Sequence, residues 1–236
     1  MATSGNERGG VIGFLSRIYV LRPRDQAVHP AGRLAGFTDA ILAIAATLTV
    51  LNLSTSVDHP GNRLGHQIGS QKAVLFATAL AFMWITGSWV LSHRALRQLR
   101  GADHYMTLLV ISRSLVITLI PFATSLLARG VGHDDFWVGV EAVAIVILVE
   151  QLLATAGTDY AHRQGLTLTP STPASRRFAV RMWGFWIAIT VAAILVAPWV
   201  DWLALVLIIV TRISSLLPIA SDRRGLYGDL GRNTDD

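Results

Sequence analysis

The sequence contains 236 residues, of which 52% are apolar and 15% are charged. Soluble domains carry roughly 25% charged residues, so this composition nearly excludes an ordinary soluble enzyme. The formal net charge is +5, but no nucleic-acid partner is expected. The chain has no cysteine, which excludes disulfides, Cys-ligated metal centres and thiol catalysis.

Six long apolar stretches dominate the sequence. A membrane-spanning helix needs about 20 mainly apolar residues, because its backbone polar groups must bond within the segment. The stretches therefore predict an all-α, polytopic membrane protein with six transmembrane helices at residues 36–54, 73–91, 106–128, 137–156, 178–197 and 199–217. We expect residues 1–32 to form a basic cytoplasmic segment, 33–220 the six-helix transmembrane domain and 221–236 a polar cytoplasmic tail.

The distribution of Lys and Arg predicts the orientation. The N-terminal segment holds five of these residues, and the second loop, the fourth loop and the tail hold three each, which makes fourteen on one side. The opposite side holds three, namely Arg63, Lys72 and Arg129. Basic residues near helix ends remain cytoplasmic, so both termini are predicted to be cytoplasmic.

The first predicted helix has two different faces. At 100° per residue, Asp39 shares a face with three apolar residues: Leu42, Ala43 and Ala46. The small side chains on this face favour close packing against a neighbouring helix. The other face carries Ile44, Thr47, Leu48 and Leu51. Spacing alone allows that face to line an apolar pore, to contact lipid or to pack against protein, and favours the last two.

Four polar or aromatic residues are expected near the cytoplasmic ends of the first two helices. They are Arg33, Asp39, Trp89 and His93. A hydrogen-bonded cluster of these side chains would satisfy the costly charges and hold the two helices together. A direct role in gating or proton transfer is the alternative.

Three charged residues fall inside later predicted helices: Arg113, Glu150 and Arg212. Glu150 is expected to be paired across helices, and the two isolated arginines are expected to reach the membrane interface or to pack between subunits. The seven histidines form no His-x-x-x-His pair, so neither a metal site nor catalysis is expected.

Three ordered motifs carry a family resemblance. Residues 33–47 read Arg-x-x-x-Phe-Thr-Asp followed by Ala-x-x-Ala-Ile-Ala-Ala-Thr, residues 89–94 read Trp-Val-Leu-Ser-His-Arg, and residues 119–124 read Leu-Ile-Pro-Phe-Ala-Thr. These motifs resemble the first, second and third helices of the transmembrane protein 175 family of potassium channels. Thr38 stands where the family usually has Ser, and Ser92 where it has His.

The resemblance implies a passive cation channel with a potassium preference. It implies permeant K⁺, no cofactor, and a homotetramer in a bacterial-type plasma membrane, with the first helix lining the pore. The apolar constriction maps to Ile44, with Leu48 and Leu51 following, and Thr47 maps to a position that helps to coordinate the cation. Phe37 and Thr38 join the packing or gating cluster defined above.

Two alternatives from other classes remain open at this stage. A proton- or ion-coupled secondary transporter would use the intramembrane residues Glu150 and Arg113. A non-conducting membrane scaffold would use the same charges only to hold helices together. Passive flux distinguishes a channel from both.

Overall fold

The computed structural model describes residues 31–54, 71–168 and 173–216. The N-terminal segment predicted at residues 1–32 lies outside these ranges except for its last two residues. The tail predicted at residues 221–236 lies wholly outside them.

Helices make up almost all of the described chain, which confirms the all-α prediction. They are α1 Ala31–Ser54, α2 Lys72–Arg97, α3 His104–Ile117, α4 Ile120–Gly130, α5 Phe136–Arg163, α6 Pro173–Val196 and α7 Asp201–Leu216. Within the described ranges, four helical segments are long and apolar enough to cross a membrane: α1, α2, α5, and α3 together with α4. The fifth and sixth predicted spans correspond to the helices α6 and α7.

The third predicted span is not one continuous helix, contrary to the expectation for residues 106–128. The helix is interrupted at Thr118 and Leu119, between α3 and α4. Pro121 has no N–H to donate to the carbonyl of Ile117, so the regular bonding pattern cannot continue through this point. The second half of the span starts again as α4, with the proline in its first turn.

A short loop joins α2 to α3 and is attached to the end of α5. The Asp103 carboxylate caps α3 by accepting from the Met106 N–H at 2.9 Å, and it also accepts from the Tyr160 hydroxyl at 2.6 Å. Leu99 and Thr167 form an isolated antiparallel bridge. These bonds fix one end of the bundle.

The core lies between α2, α4, α5 and α7. Its fully buried side chains include Ile85, Leu127, Ile147 and Ile208. Helices α4 and α5 pack especially closely at Gly139, where an added Cβ would lie 2.5 Å from the Leu127 Cα. Helix α1 packs mainly against α2, at the edge of the subunit.

Candidate pore helix and buried charge network

One narrow side of α1 is buried in the subunit. Thr38, Leu42, Ala45 and Thr49 recur every three or four residues and are at most 2% exposed. This spacing makes a single helical stripe that packs against the neighbouring helices. Among the four membrane-length segments, α1 buries the smallest share of its residues.

The opposite side of α1 carries the residues predicted to form a constriction. Ile44 is 60% exposed, Leu48 is 43% exposed and Leu51 is 58% exposed. Thr47 is also exposed, and its hydroxyl donates to the carbonyl oxygen of Ile44 at 2.8 Å. An isolated subunit therefore presents an apolar stripe with one hydroxyl group beside it.

The face of α1 that was expected to pack through small residues is only partly buried. Leu42 is 2% exposed and Ala46 packs against the core, but Ala43 is exposed. A groove remains beside Ala43, bordered by residues of α2. Within the subunit α2 does not cover Ala43, and close packing of a neighbouring helix at that position stays a prediction.

The structure brings together three of the four residues predicted to join the first two helices. The Trp89 indole N–H donates to Asp39 Oδ1 at 2.8 Å, and the Trp89 ring stacks on the His93 ring with centroids 5.4 Å apart. Arg33 is exposed, and within the described ranges no ion pair joins it to Asp39. Phe37 is 50% exposed.

Glu150 is the centre of a second network, and its side chain is buried. Its Oε1 accepts from Arg113 Nη2 at 2.8 Å and from the Ser88 hydroxyl at 3.0 Å. Its Oε2 accepts from the Trp84 indole N–H at 3.1 Å. The expectation that Glu150 pairs across helices is confirmed. Three donors from α2 and α3 compensate the desolvation of the carboxylate.

Arg212 extends this network to α7. Its Nη2 donates to the Ser88 hydroxyl at 2.6 Å and to the backbone carbonyl of Trp84. Its guanidinium carbon lies 4.6 Å from the Trp84 ring centroid, within range of a cation–π interaction. Gly87 provides the space, since an added Cβ would lie 2.6 Å from Arg212 Nε.

These contacts correct the expectation for the two intramembrane arginines. Arg212 is 4% exposed, and the Arg113 side chain is 12% exposed. Both bind groups within the same subunit instead of reaching the interface or a neighbouring subunit. The lone carboxylate at Glu150 explains this, because an unpaired charge in a membrane is more costly than a buried pair.

Sequence reasoning missed the residues that complete this network: Trp84, Gly87 and Ser88. A signal was present, because Trp84 and Ser88 are four residues apart and therefore share a face of α2. Their partners could not be deduced, since Ser88 and Glu150 are separated by 62 residues. Across the described ranges, no group of three potential metal-binding side chains occurs.

A family model matches part of the N-terminal half of the chain. The model described as "Endosomal/lysosomal potassium channel TMEM175" matches residues 33–121. Residues 33–121 are therefore similar to the TMEM175 family. This region includes α1, α2 and α3, and with them Asp39, Trp89 and Arg113. Glu150 and Arg212 lie outside it.

Similar proteins include two bacterial potassium channels and an animal TMEM175 proton channel. A potassium channel of Streptomyces collinus is 28% identical over 128 residues, which is 54% of this chain and 62% of the relative. A potassium channel of Chamaesiphon minutus is 30% identical over 50% of this chain and 59% of the relative. The endosomal/lysosomal proton channel TMEM175 of Gallus gallus is 28% identical over 55% of this chain and 26% of the relative.

A solved structure shares the fold. The crystal structure of a lysosomal potassium-selective channel TMEM175 homolog from Chamaesiphon minutus matches with a TM-score of 0.67 at 21% identity. The match covers 78% of this chain and 95% of the solved chain. The sequence matches are shorter, and this chain spans about six-tenths of the two bacterial relatives.

Proposed function

We propose that this chain forms a passive cation channel with a potassium preference in a bacterial-type plasma membrane. The bacterial relatives are named potassium channels, and the TMEM175 match covers the helix that would line the pore. The observation that carries the proposal is the exposed apolar stripe of α1. The stripe lies away from the packed face of this edge helix, as expected for a helix that packs on its own subunit with one side and lines a pore with the other.

A homotetramer would give the stripe a function. With one α1 from each of four copies around an axis, Ile44, Leu48 and Leu51 would form successive apolar rings. A narrow apolar ring loses its water, which raises the energy of an ion inside it and creates a gate. The same rings would set the size of the cation that passes when the gate is open.

Thr47 is suited to assist a partly dehydrated cation. Its hydroxyl hydrogen is used by the Ile44 carbonyl, but a hydroxyl oxygen has two lone pairs that can still accept. The oxygen would therefore present a dipole to the cation at the level of the constriction. Selectivity from such dipoles and from pore size would be modest.

The cluster at the end of α1 would couple the pore helix to the rest of the subunit. The bond from Trp89 to Asp39 joins α2 to α1, and the stacked His93 supports the indole. A rotation of α1 that widens the pore would move Asp39 relative to Trp89 and would therefore act on this bond. Arg33, Phe37 and Thr38 flank the same end of α1 and would contribute to this packing or gating role.

Ionic current across a bilayer containing the purified protein tests the proposal. Opposing K⁺ and Na⁺ gradients give the selectivity, and Ile44→Asn tests the constriction. Ile145→Asn is the matched control, because Ile145 is 50% exposed on α5 and receives the same polar group. We expect wild-type currents to reverse towards the K⁺ equilibrium potential.

The two variants should behave differently. A ring of amides that lowers the barrier by about 1.4 kcal/mol would raise the unitary conductance about tenfold in Ile44→Asn. Ile145→Asn should conduct as the wild type does. Unchanged conductance and selectivity in assembled Ile44→Asn would contradict the pore assignment. A complete lack of current from folded protein would contradict the channel itself and favour a coupled transporter or a scaffold.

A further inference from the structure

A cavity of about 130 Å³ lies at the end of the bundle that carries the α2–α3 loop. Its walls come mainly from α2, α3 and α5, with Thr38 of α1 and Trp183 of α6 closing two sides. Most of the lining is apolar and includes Leu91, Leu109 and Val110. The cavity is separate from the exposed stripe of α1.

Three residues that line the cavity each have one buried polar atom without a hydrogen-bond partner: Thr38 Oγ1, Arg113 Nε and His162 Nδ1. They belong to three different helices, and Thr38 is only 2% exposed. Buried polar side-chain atoms are normally hydrogen-bonded, so three unsatisfied atoms around one space indicate an occupant that supplies partners.

The charge of the lining indicates the sign of that occupant. Arg113 and His162 are the lining residues that can carry a positive charge, and none of the lining residues is Asp or Glu. Arg113 uses Nη2 to bind Glu150, whereas its buried Nε has no hydrogen-bond partner. A group that accepts hydrogen bonds from nitrogen and hydroxyl donors fits these walls, and a carboxylate is such a group.

The volume indicates the size of the occupant. An apolar cavity of about 150 Å³ is large enough to hold benzene. The cavity described here is slightly smaller and has polar atoms in its walls. We propose that it is a binding site for a small organic anion, namely a monocarboxylate whose apolar body is no larger than about one ring. The carboxylate would accept from Arg113 Nε and Thr38 Oγ1, and the apolar body would contact the leucine and valine side chains. This site does not depend on the proposed channel activity.

Binding of 4-fluorobenzoate to the purified full-length protein in lipid nanodiscs tests the proposal. The fluorine resonance reports occupancy by its shift and broadening as the concentration rises. Gly157→Val fills the cavity, because an added Cβ there meets only Met106 Cε, at 3.8 Å. Gly184→Val is the matched control, since an added Cβ at this exposed α6 position has no atom within 4 Å.

We expect saturable binding to the wild type and to Gly184→Val, with a Kd at least tenfold higher for Gly157→Val. Thr38→Val keeps the side-chain shape and removes the hydroxyl, so it should also raise the Kd and serves as a second variant if Gly157→Val fails to fold. Neutral 4-fluorobenzamide should bind at least tenfold more weakly than the benzoate.

Three results would overturn the proposal. Without saturable binding to the wild type, the cavity holds water only. Equal Kd values for Gly184→Val and folded Gly157→Val would place the probe elsewhere. Equal affinity for the amide and the carboxylate would show that the charge of the ligand is not recognised.

Discussion

Gly87 lies directly against the Arg212 guanidinium of the buried charge network. The substitution Gly87→Ala therefore tests whether that network stabilises the subunit. The new Cβ would lie 2.6 Å from Arg212 Nε and 2.9 Å from its Nη2, which forces the guanidinium to move. A movement of that kind breaks the hydrogen bonds from Arg212 to Ser88 and to the Trp84 carbonyl. The flexible arginine cannot leave the site cheaply, because it is 4% exposed.

The expected destabilisation is about 3 kcal/mol. Hydrogen bonds of a charged donor contribute about 1.5–3 kcal/mol each, and interhelical bonds in membranes fall at or below the low end of this range. The loss of two such bonds therefore costs about 3 kcal/mol, and the weakened cation–π contact adds about 1 kcal/mol. Replacing Gly with Ala inside a helix recovers about 1 kcal/mol.

Gly184→Ala is the matched control because it makes the same chemical change in a helix. An added Cβ at Gly184 meets no atom within 4 Å, so only the helix-propensity gain of up to about 1 kcal/mol is expected. The same substitution should thus change the stability in opposite directions at the two sites.

The free energies of unfolding can be measured by SDS titration in bicelles, with tryptophan fluorescence as the signal. If Gly87→Ala is as stable as the wild type, the guanidinium is not held as described. A double-mutant cycle with Arg212→Met isolates the contact. In the Arg212→Met background, Gly87→Ala should no longer destabilise, and an unchanged cost there would refute the proposed cause.

Three further substitutions test other contacts by the same titration. Glu150→Gln should lower the free energy of unfolding by about 3–5 kcal/mol, because it leaves Arg113 buried without its carboxylate. Adding Arg113→Gln should recover part of that loss. If the losses of the two single variants are additive in the double variant, the two side chains are not an interacting pair. Trp89→Phe should cost about 1 kcal/mol through the lost bond to Asp39, and no further loss is expected when Asp39→Asn is added. Gly139→Ala should cost about 1–3 kcal/mol, because the backbone of α4 lies 2.5 Å from the new Cβ; wild-type stability would show that α4 and α5 separate easily.

The helices could be predicted from the sequence because the membrane imposes a strong local rule. Each membrane-length apolar run must satisfy its own backbone, so length and composition were enough to locate the helices, and four segments in the described ranges are long enough to cross a membrane. Helical periodicity also identified the exposed face of α1, whereas the buried stripe centred on Leu42 and Ala45 differs from the face that was predicted around Asp39. Apolar length alone did not predict the interruption near Pro121, because it takes no account of the N–H donor that proline lacks.

The partners of the charges required the tertiary structure. The sequence indicated that Glu150 needs a partner, since an unpaired carboxylate in a membrane is costly. It did not indicate that Arg113, 37 residues away, would supply this partner or that Arg212 would reach Ser88 across 124 residues. Those pairings depend on how the helices rotate and cross as they pack.

The sequence by itself determined the helical composition, the positions of the apolar helices and the exposed apolar stripe of α1, because each depends on residues that are neighbours along one helix. The tertiary structure decided that Gly87 makes room for Arg212, and that Thr38, Arg113 and His162 surround one cavity. Each of these features joins residues from different helices. Their physical basis is the packing of side chains across helix interfaces, which no periodicity within a single segment encodes.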